Sequence, residues 1–340
     1  MPWNPLRIAA TALLLCASAA VPAQTLNVIC SVQAEWCTLA ATQFEKETGV
    51  RAAMVLKGSG EAFAQISAEK ANPKLDVWFG GTGDPHLQAA ELGLTDEHRS
   101  PSLAQLHPWA QRQAGQSRYR TVGLYLGVLG IGYNTELLAK KKLAPPACWR
   151  DLVKPEFAGE VQMANPNASG TAYTAIATLV QVFGEEEAFR YLKALHRNVN
   201  TYPRSGTAPV KAVARGETIA SVSFIHDAVT EAQAGFPVKG AAPCEGTGYE
   251  IGSMSIVKGA RNQEAAKKFY DWALTPRAQA LAAQAKSFQL PSNAGTPVSP
   301  LSPSTADIKL IDYDFAKYGQ SAERKRLLER WDRDVGSIAK

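Results

Sequence analysis

The chain has 340 residues, 46% of them hydrophobic and 20% charged, with 26 Gly and 20 Pro. That balance excludes a disordered or fibrous chain, and the length suffices for two domains or for one large domain divided by a cleft. Lys and Arg exceed Asp and Glu by five and are scattered rather than gathered into a stripe, which argues against a nucleic-acid partner and slightly favours a small anionic one.

Residues 1–23 read as a secretory signal peptide. Met1–Arg7 carry one positive charge, Ile8–Ala20 form an apolar run of thirteen, and Val21-Pro22-Ala23 sets small residues before a cut between Ala23 and Gln24. A run of thirteen is too short for a bilayer-spanning helix. A lipid anchor on Cys16 is disfavoured because Leu15 stands where a small residue is needed. Cleavage removes one Arg and no acid, leaving a charge of +4 and four cysteines. An even count in an exported chain reads as two disulfides, and the short loop Cys30–Cys37 leaves Cys148 with Cys244. A thiolate metal site would need tighter spacing. With no later segment apolar enough to cross a membrane, the mature chain is expected to be soluble outside the cytoplasmic membrane.

Past the cut, Leu26–Cys30 is a short strand, followed by a helix over Trp36–Glu47 that ends at Gly49. Val50–Leu56 is a second strand, Glu61–Asn72 a second helix and Leu75–Phe79 a third strand. Such alternation predicts an α/β fold with a parallel sheet, in which ligands bind at the carboxyl ends of the strands. The long β-prone run Thr121–Tyr133 carries four glycines, which suggests a strand bending between two sheets. A second series occupies residues 150–245, with helices over Thr171–Phe183, Glu185–His196 and Ala208–Arg215 and a strand over Ser221–Ile225. Tyr249–Val257 reads as a strand returning to the first lobe, followed by Ala-rich helix, a Pro- and Ser-rich stretch near 291–304, and helix again. The predicted division is residues 24–127 with 250–340 for one lobe, its last helices leaning on the other, and 128–249 for the second. A ligand cleft is expected at the hinge.

Motifs of the common enzyme classes are mostly missing: no nucleophile elbow, no phosphate loop, no paired His at metal-ligand spacing, and Gly130-Ile131-Gly132 lacks the third glycine of a dinucleotide fingerprint. What recurs is a cluster of small polar residues opening a helix. Gly58-Ser59-Gly60-Glu61, Asn167-Ala168-Ser169-Gly170-Thr171 and Ser205-Gly206-Thr207 each offer free backbone N–H groups and hydroxyls, and Gly80-Gly81-Thr82-Gly83 could add a fourth wall. Unpaired donors and the positive end of the helix dipole favour a phosphate, sulfate or carboxylate there. Each loop can equally be a plain cap or turn. Farther on, His226-Asp227 follows a strand and Tyr249-Glu250 stands at the return hinge, a mixture of donors and acceptors suited to sugar hydroxyls. His226-Asp227 can also be an ordinary helix start.

On Cys30–Cys37, Gly58–Glu61, Ser169–Thr171, Phe224–Ala228 and Glu245–Gly252, the chain resembles the periplasmic solute-binding proteins of ABC importers. The likeness falls in the branch that contains ferric-iron-binding proteins, with the hexose-phosphate-binding members nearest, and covers Leu26 to about residue 285. It implies a two-lobed type II binding-protein fold, no catalysis, a permease as membrane partner and a monomer closing on its ligand. It implies that Ser59, Gly60, Ser169, Gly170 and Thr171 hold a phosphate, with Thr82, Ser205 and Gly206 added on loops of similar character. His226, Asp227 and Glu250 would hold the sugar. No resident cofactor or metal follows from it. In the iron-binding relatives two adjacent Tyr hold the metal, and no Tyr-Tyr pair occurs here. The expected ligand is therefore a sugar phosphate, with a phosphonate, another organophosphate such as a phosphoglycerate-like acid, a thiamine-type cation or ferric iron as alternatives on the same scaffold. From a different class, an exported phosphatase-like hydrolase would also need a phosphate cleft lined by His, Asp and Glu.

Overall fold

In the computed structural model, the described residues are Met1 and 25–339. The expected signal peptide apart from Met1, the cut after Ala23 and Cys16 lie outside them. The first elements are β1 (Thr25–Cys30), α1 (Ala34–Thr48), β2 (Arg51–Leu56), α2 (Ser59–Ala68) and β3 (Val77–Phe79), in the alternation read from the sequence. α1 stops where Gly49 takes a left-handed conformation, φ 73°, and returns its N–H to the Glu45 carbonyl. β1 lies between β2 and β3 and parallel to both. Its Leu26, Val28, Ile29 and Cys30 are buried, as a strand covered by helices on both faces requires. Two helices not read from the sequence follow, α3 (Gly83–Glu91) and α4 (Pro108–Gln116).

The glycine-rich run is β4 (Val122–Asn134), and it belongs to both lobes. After it come α5 (Thr135–Lys141), β5 (Val161–Gln162), α6 (Gly170–Phe183), α7 (Glu185–Asn198), β6 (Val199–Thr201), α8 (Ala208–Ala214), β7 (Ala220–Phe224), α9 (Ile225–Gln233) and β8 (Val238–Ala241). β9 (Tyr249–Ile256), α10 (Gln263–Ala273), β10 (Leu290–Pro291) and a last long helix, α11 (Ser321–Trp331), complete the chain. The sheet order is β2-β1-β3-β9-β4-β7-β5-β6, with β8 and β10 also pairing on β4. From Val122 to Val128, β4 is antiparallel to β9, ending with Gly127 opposite Glu250 and Val128 opposite Tyr249. From Leu129 onward its partners are β7 and β8. One strand thus changes sheets in mid-course, and β9 returns from it to β3.

The two largest cores lie one in each lobe. Leu26, Val28, Phe44, Phe79, Leu124, Met254 and Phe269 fill the first lobe. Leu129, Ile131, Trp149, Tyr173, Phe189 and Val222 fill the second, together with Tyr313, Leu327, Trp331 and Val335 from the C-terminal segment. The last helix therefore docks on the second lobe, where Arg326 and Arg330 clamp Glu185 and hold its carboxyl down at about 2. The two-lobed α/β architecture agrees with the sequence reading.

Both disulfides are present, Cys30–Cys37 and Cys148–Cys244. The second spans 96 residues, so its closure restricts the unfolded chain far more than the first. Replacing Cys148 and Cys244 together by Ser is expected to cost about 2–5 kcal/mol, measurable as a lower unfolding midpoint in denaturant, whereas an unchanged midpoint would show that the second lobe does not need the link.

Candidate functional site

Where the lobes face one another, a cavity of about 390 Å³ is walled by the start of α2, the start of α6 and the loop before α8. Ser59, Ser169, Gly170, Thr171, Ser205 and Gly206 all lie on it. α2 begins at Ser59, two residues ahead of the predicted start, with Gly58 as its cap and Glu61 reaching back to the Gly58 N–H at 3.3 Å. α6 begins at Gly170, and its cap Ser169 accepts from the Ala172 N–H at 3.4 Å. A Cβ on Gly206 would fall 2.3 Å from Thr171 Oγ1 and 2.9 Å from Ser169 Oγ, so this loop lies against the α6 start and its hydroxyls. Two helix N-termini and a ring of hydroxyls point at one space, an arrangement that suits an anion.

The other two residues of the expected phosphate set stand where the lobes touch. Gly60 gives its N–H to the Ala168 carbonyl of the second lobe, 3.1 Å away, so that donor is engaged. Thr82 gives its N–H to Ser59 Oγ at 3.1 Å, while its own Oγ1 is buried without a partner among the described residues. Glycine is required at both contacts: a Cβ at Gly60 would lie 2.5 Å from the Asn167 carbonyl, and one at Gly170 would lie 1.9 Å from Thr82 Oγ1. Arg204 crosses the same contact to pair with Glu61.

His226, Asp227 and Glu250 form a second cluster, at the hinge. The predicted strand stops one residue early, and His226 and Asp227 occupy the first turn of α9. All three residues are buried, at 2%, 4% and 4% exposure. His226 and Glu250 meet above Gly127, where a Cβ would lie 2.6 Å from the imidazole and 3.0 Å from Glu250 Oε1. Burial pushes the His226 imidazole down to about 3, and its Nδ1 has no partner among the described residues. Burial raises Asp227 to about 7 and carries Glu250 well above the usual carboxylate range. Asp227 lines an adjoining cavity of about 550 Å³ that shares Gln33, Thr207 and Lys211 with the first. The structure thus gathers nine of the eleven expected residues into two neighbouring groups, six around one cavity and three at the hinge beside it, with Gly60 and Thr82 at the lobe contact.

Sequence reasoning missed three participants. Gln33, inside the Cys30–Cys37 loop, bonds Asp227 across the cleft at 2.7 Å. Lys211 stands on both cavity walls. Asp84, in the first turn of α3, is buried with Tyr313 OH 3.3 Å from Oδ2 and with Oδ1 unpartnered among the described residues. Beside it, the buried Arg324 rests 4.4 Å above the Tyr173 ring. Only the spacing of Gln33 between the two cysteines was a usable signal; the Asp84 contact joins residues 229 apart. Of the other histidines, His86 is structural: it stacks on Trp78 and bonds Ser255 Oγ and the Gly80 carbonyl.

With this geometry in place, comparison with known proteins decides the family. Residues 72–318 match the bacterial extracellular solute-binding protein family. The chain belongs to that family. Its members are the substrate-binding proteins of ABC transporters, extracellular or periplasmic receptors that bind small ligands and work with permeases. An uncharacterized protein of Haemophilus influenzae is 43% identical over 98% of this chain and 99% of its own length. The periplasmic binding protein AfuA of Actinobacillus pleuropneumoniae, solved with exogenous fructose-6-phosphate bound, is 44% identical, with a TM-score of 0.89 over 93% of this chain and 99% of AfuA. Iron-bound HitA of Pseudomonas aeruginosa, at 21% identity and a TM-score of 0.75 over 90% of this chain and 98% of HitA, shares the fold.

The buried Asp84 gives this solute-binding protein a titratable group at its lobe contact. Burial, opposed by Arg324, lifts its carboxyl to about 7, against about 4 in an unfolded chain. The native state therefore holds a proton that the unfolded chain releases, and this site's contribution to stability falls as pH rises from about 4 to about 7. Asp84→Asn removes that slope, so its melting temperature relative to wild type should rise between about pH 5 and pH 8; a constant difference would contradict the buried, protonated carboxyl.

Proposed function

We propose that this protein captures a phosphorylated small molecule, a hexose phosphate, between its lobes and delivers it unaltered to a membrane permease. The observation that carries this reading is the convergence of the α2 and α6 starts and the Ser205–Thr207 loop on one cavity, next to the buried His226, Asp227 and Glu250. Neutral N–H and O–H donors at helix starts can replace the water shell of a phosphate through several charge-assisted bonds. The hinge cluster supplies the acceptors and donors that sugar hydroxyls need, and burial makes each unmet bond costly, which favours discrimination between sugars. The similarity to AfuA over nearly the whole chain supports the same ligand class. The protein acts as a monomer in the periplasm after cleavage at Ala23, without catalysis, which separates this reading from that of a phosphatase-like hydrolase.

We place the lobe boundaries at 127/128 and 249/250, one residue before β4 changes partners, with Glu250 opposite Gly127. Residues 24–127 and 250–340 then form the first lobe and 128–249 the second, with the C-terminal helix crossing to the second core. Lobe closure about this hinge traps the ligand.

Two sets of variants test the two halves of the site by calorimetric titration. Ser169→Ala with Thr171→Ala should weaken both hexose 6-phosphate and inorganic phosphate, by about 10- to 100-fold for each lost bond to the anion. His226→Ala with Asp227→Ala should weaken hexose 6-phosphate in the same range and inorganic phosphate much less. Equal losses for both ligands in the second pair would contradict the sugar-side assignment, and steady phosphate release from sugar phosphates would favour the hydrolase.

The glycine contacts test closure. Gly60→Val adds bulk where a Cβ already has no room against Asn167, so every ligand should bind more weakly while the melting temperature without ligand changes little. Unaltered affinity would mean that the lobes need not approach this closely.

A further inference from the structure

Gln33 lies just before α1, inside the loop closed by Cys30 and Cys37, and both ends of its carboxamide are engaged. Nε2 donates to Asp227 Oδ1 at 2.7 Å. Oε1 accepts from Ser287 Oγ at 2.5 Å and from Gln289 Nε2 at 3.4 Å. Ser287 Oγ also lies 2.8 Å from Gln289 Oε1, so its single proton serves one of these two oxygens, while the Gln289 amide donates to Gln33 Oε1 and a carboxyl oxygen faces Nε2. Reversing the amide would set an oxygen against the Asp227 carboxyl, so Asp227 in its charged form favours the orientation that donates to it. Gln33 and Asp227 are 194 residues apart and come from opposite lobes.

Asp227 is almost wholly buried, and among the described residues its Oδ2 takes no hydrogen bond. One oxygen is thus committed to Gln33 and the other is open. Burial works against the charged form of Asp227, whereas the bond from Gln33 and the nearby Lys211 favour it. A carboxyl held at one oxygen presents the other in a fixed direction to hydroxyl groups.

We propose that Gln33 is a positioning residue for ligand recognition: once the lobes meet, its carboxamide anchors Asp227 through Oδ1 and leaves Oδ2 for the hydroxyls of the bound sugar. This rests on the reading of Asp227 as a sugar-holding residue given above. It assigns to the first lobe a part in a discrimination otherwise made by the second lobe and the hinge. It also ties that discrimination to closure, because the Gln33–Asp227 bond joins residues of opposite lobes.

A double-mutant cycle read by calorimetry with glucose 6-phosphate and fructose 6-phosphate tests it. Gln33→Ala should weaken hexose phosphate about 10- to 100-fold, the cost of a lost bond to a charged, buried group, and should weaken inorganic phosphate by a smaller factor. In an Asp227→Ala background the same substitution should cost less than about threefold, because the group through which Gln33 acts is gone. Gln33→Met, close in shape and without the amide, should reproduce Gln33→Ala, and melting temperatures without ligand should show that each variant is folded. Equal losses from Gln33→Ala in the two backgrounds, or wild-type affinity in Gln33→Ala while Asp227→Ala binds weakly, would overturn the positioning role and leave the sugar-side reading standing. Wild-type affinity in Asp227→Ala would overturn both.

Discussion

The arrangement depends on a single strand serving two sheets. β4 pairs with β9 up to Val128 and with β7 from Leu129, so the lobes are joined by a continuous backbone that changes hydrogen-bond partners in mid-course. At that change stand Gly127 and Glu250, in register with each other, and His226 packs on the same spot. The hinge and the polar cluster are therefore the same place: a rotation of one lobe on the other moves α9 with its His226 and Asp227 relative to β1 and α1. In the proposed function recognition and closure would share these atoms, which is how differential binding to closed lobes can shift a conformational equilibrium.

The electrostatics follow from burial rather than from charge. The cavity between the helix starts is lined by the hydroxyls and backbone of the helix starts together with Lys57 and Lys211, while Arg204 is already paired to Glu61. A phosphate there would be met by dipoles fixed in place by α2 and α6, with little reorganisation on binding. At the hinge, burial pushes the titratable groups toward their neutral forms, His226 downward and Asp227 and Glu250 upward. A neutral His and partly protonated carboxyls present both donors and acceptors, the combination that hydroxyl groups satisfy in both directions. The glycine contacts at Gly60 and Gly170 allow the helix starts to approach without side chains between them.

Much of this was legible in the sequence because it is written locally. Strand and helix alternation, the stop at Gly49, the glycine-rich course of β4 and the Ser-Gly-Thr helix starts are all signalled within a few residues. Ser59, Ser169, Gly170, Thr171, Ser205 and Gly206 could be expected to face one space because each follows a strand in an α/β chain. What could not be read is pairing over distance. Gly60 looks like a free donor in sequence, yet its N–H is taken by Ala168, more than a hundred residues later. The Gly80–Gly83 run reads as a loop, although Gly83 opens α3 and sets Asp84 against Tyr313. The C-terminal helix is placed by contacts over distance: Leu327 and Trp331 enter the second core, and Arg326 and Arg330 pair with Glu185.

The central claim is that one cleft holds a phosphate at the helix starts and a sugar at the hinge together. The most direct measurement is a thermal-shift screen of residues 24–340 with hexose phosphates, free hexoses, inorganic phosphate, phosphonates and ferric citrate, since a ligand that binds only the folded chain raises its melting temperature. The account predicts a large rise with a hexose 6-phosphate and little with a free hexose or phosphate alone. A rise confined to phosphonates or ferric citrate would contradict it, leaving the fold and the hinge in place but giving the cleft to another ligand.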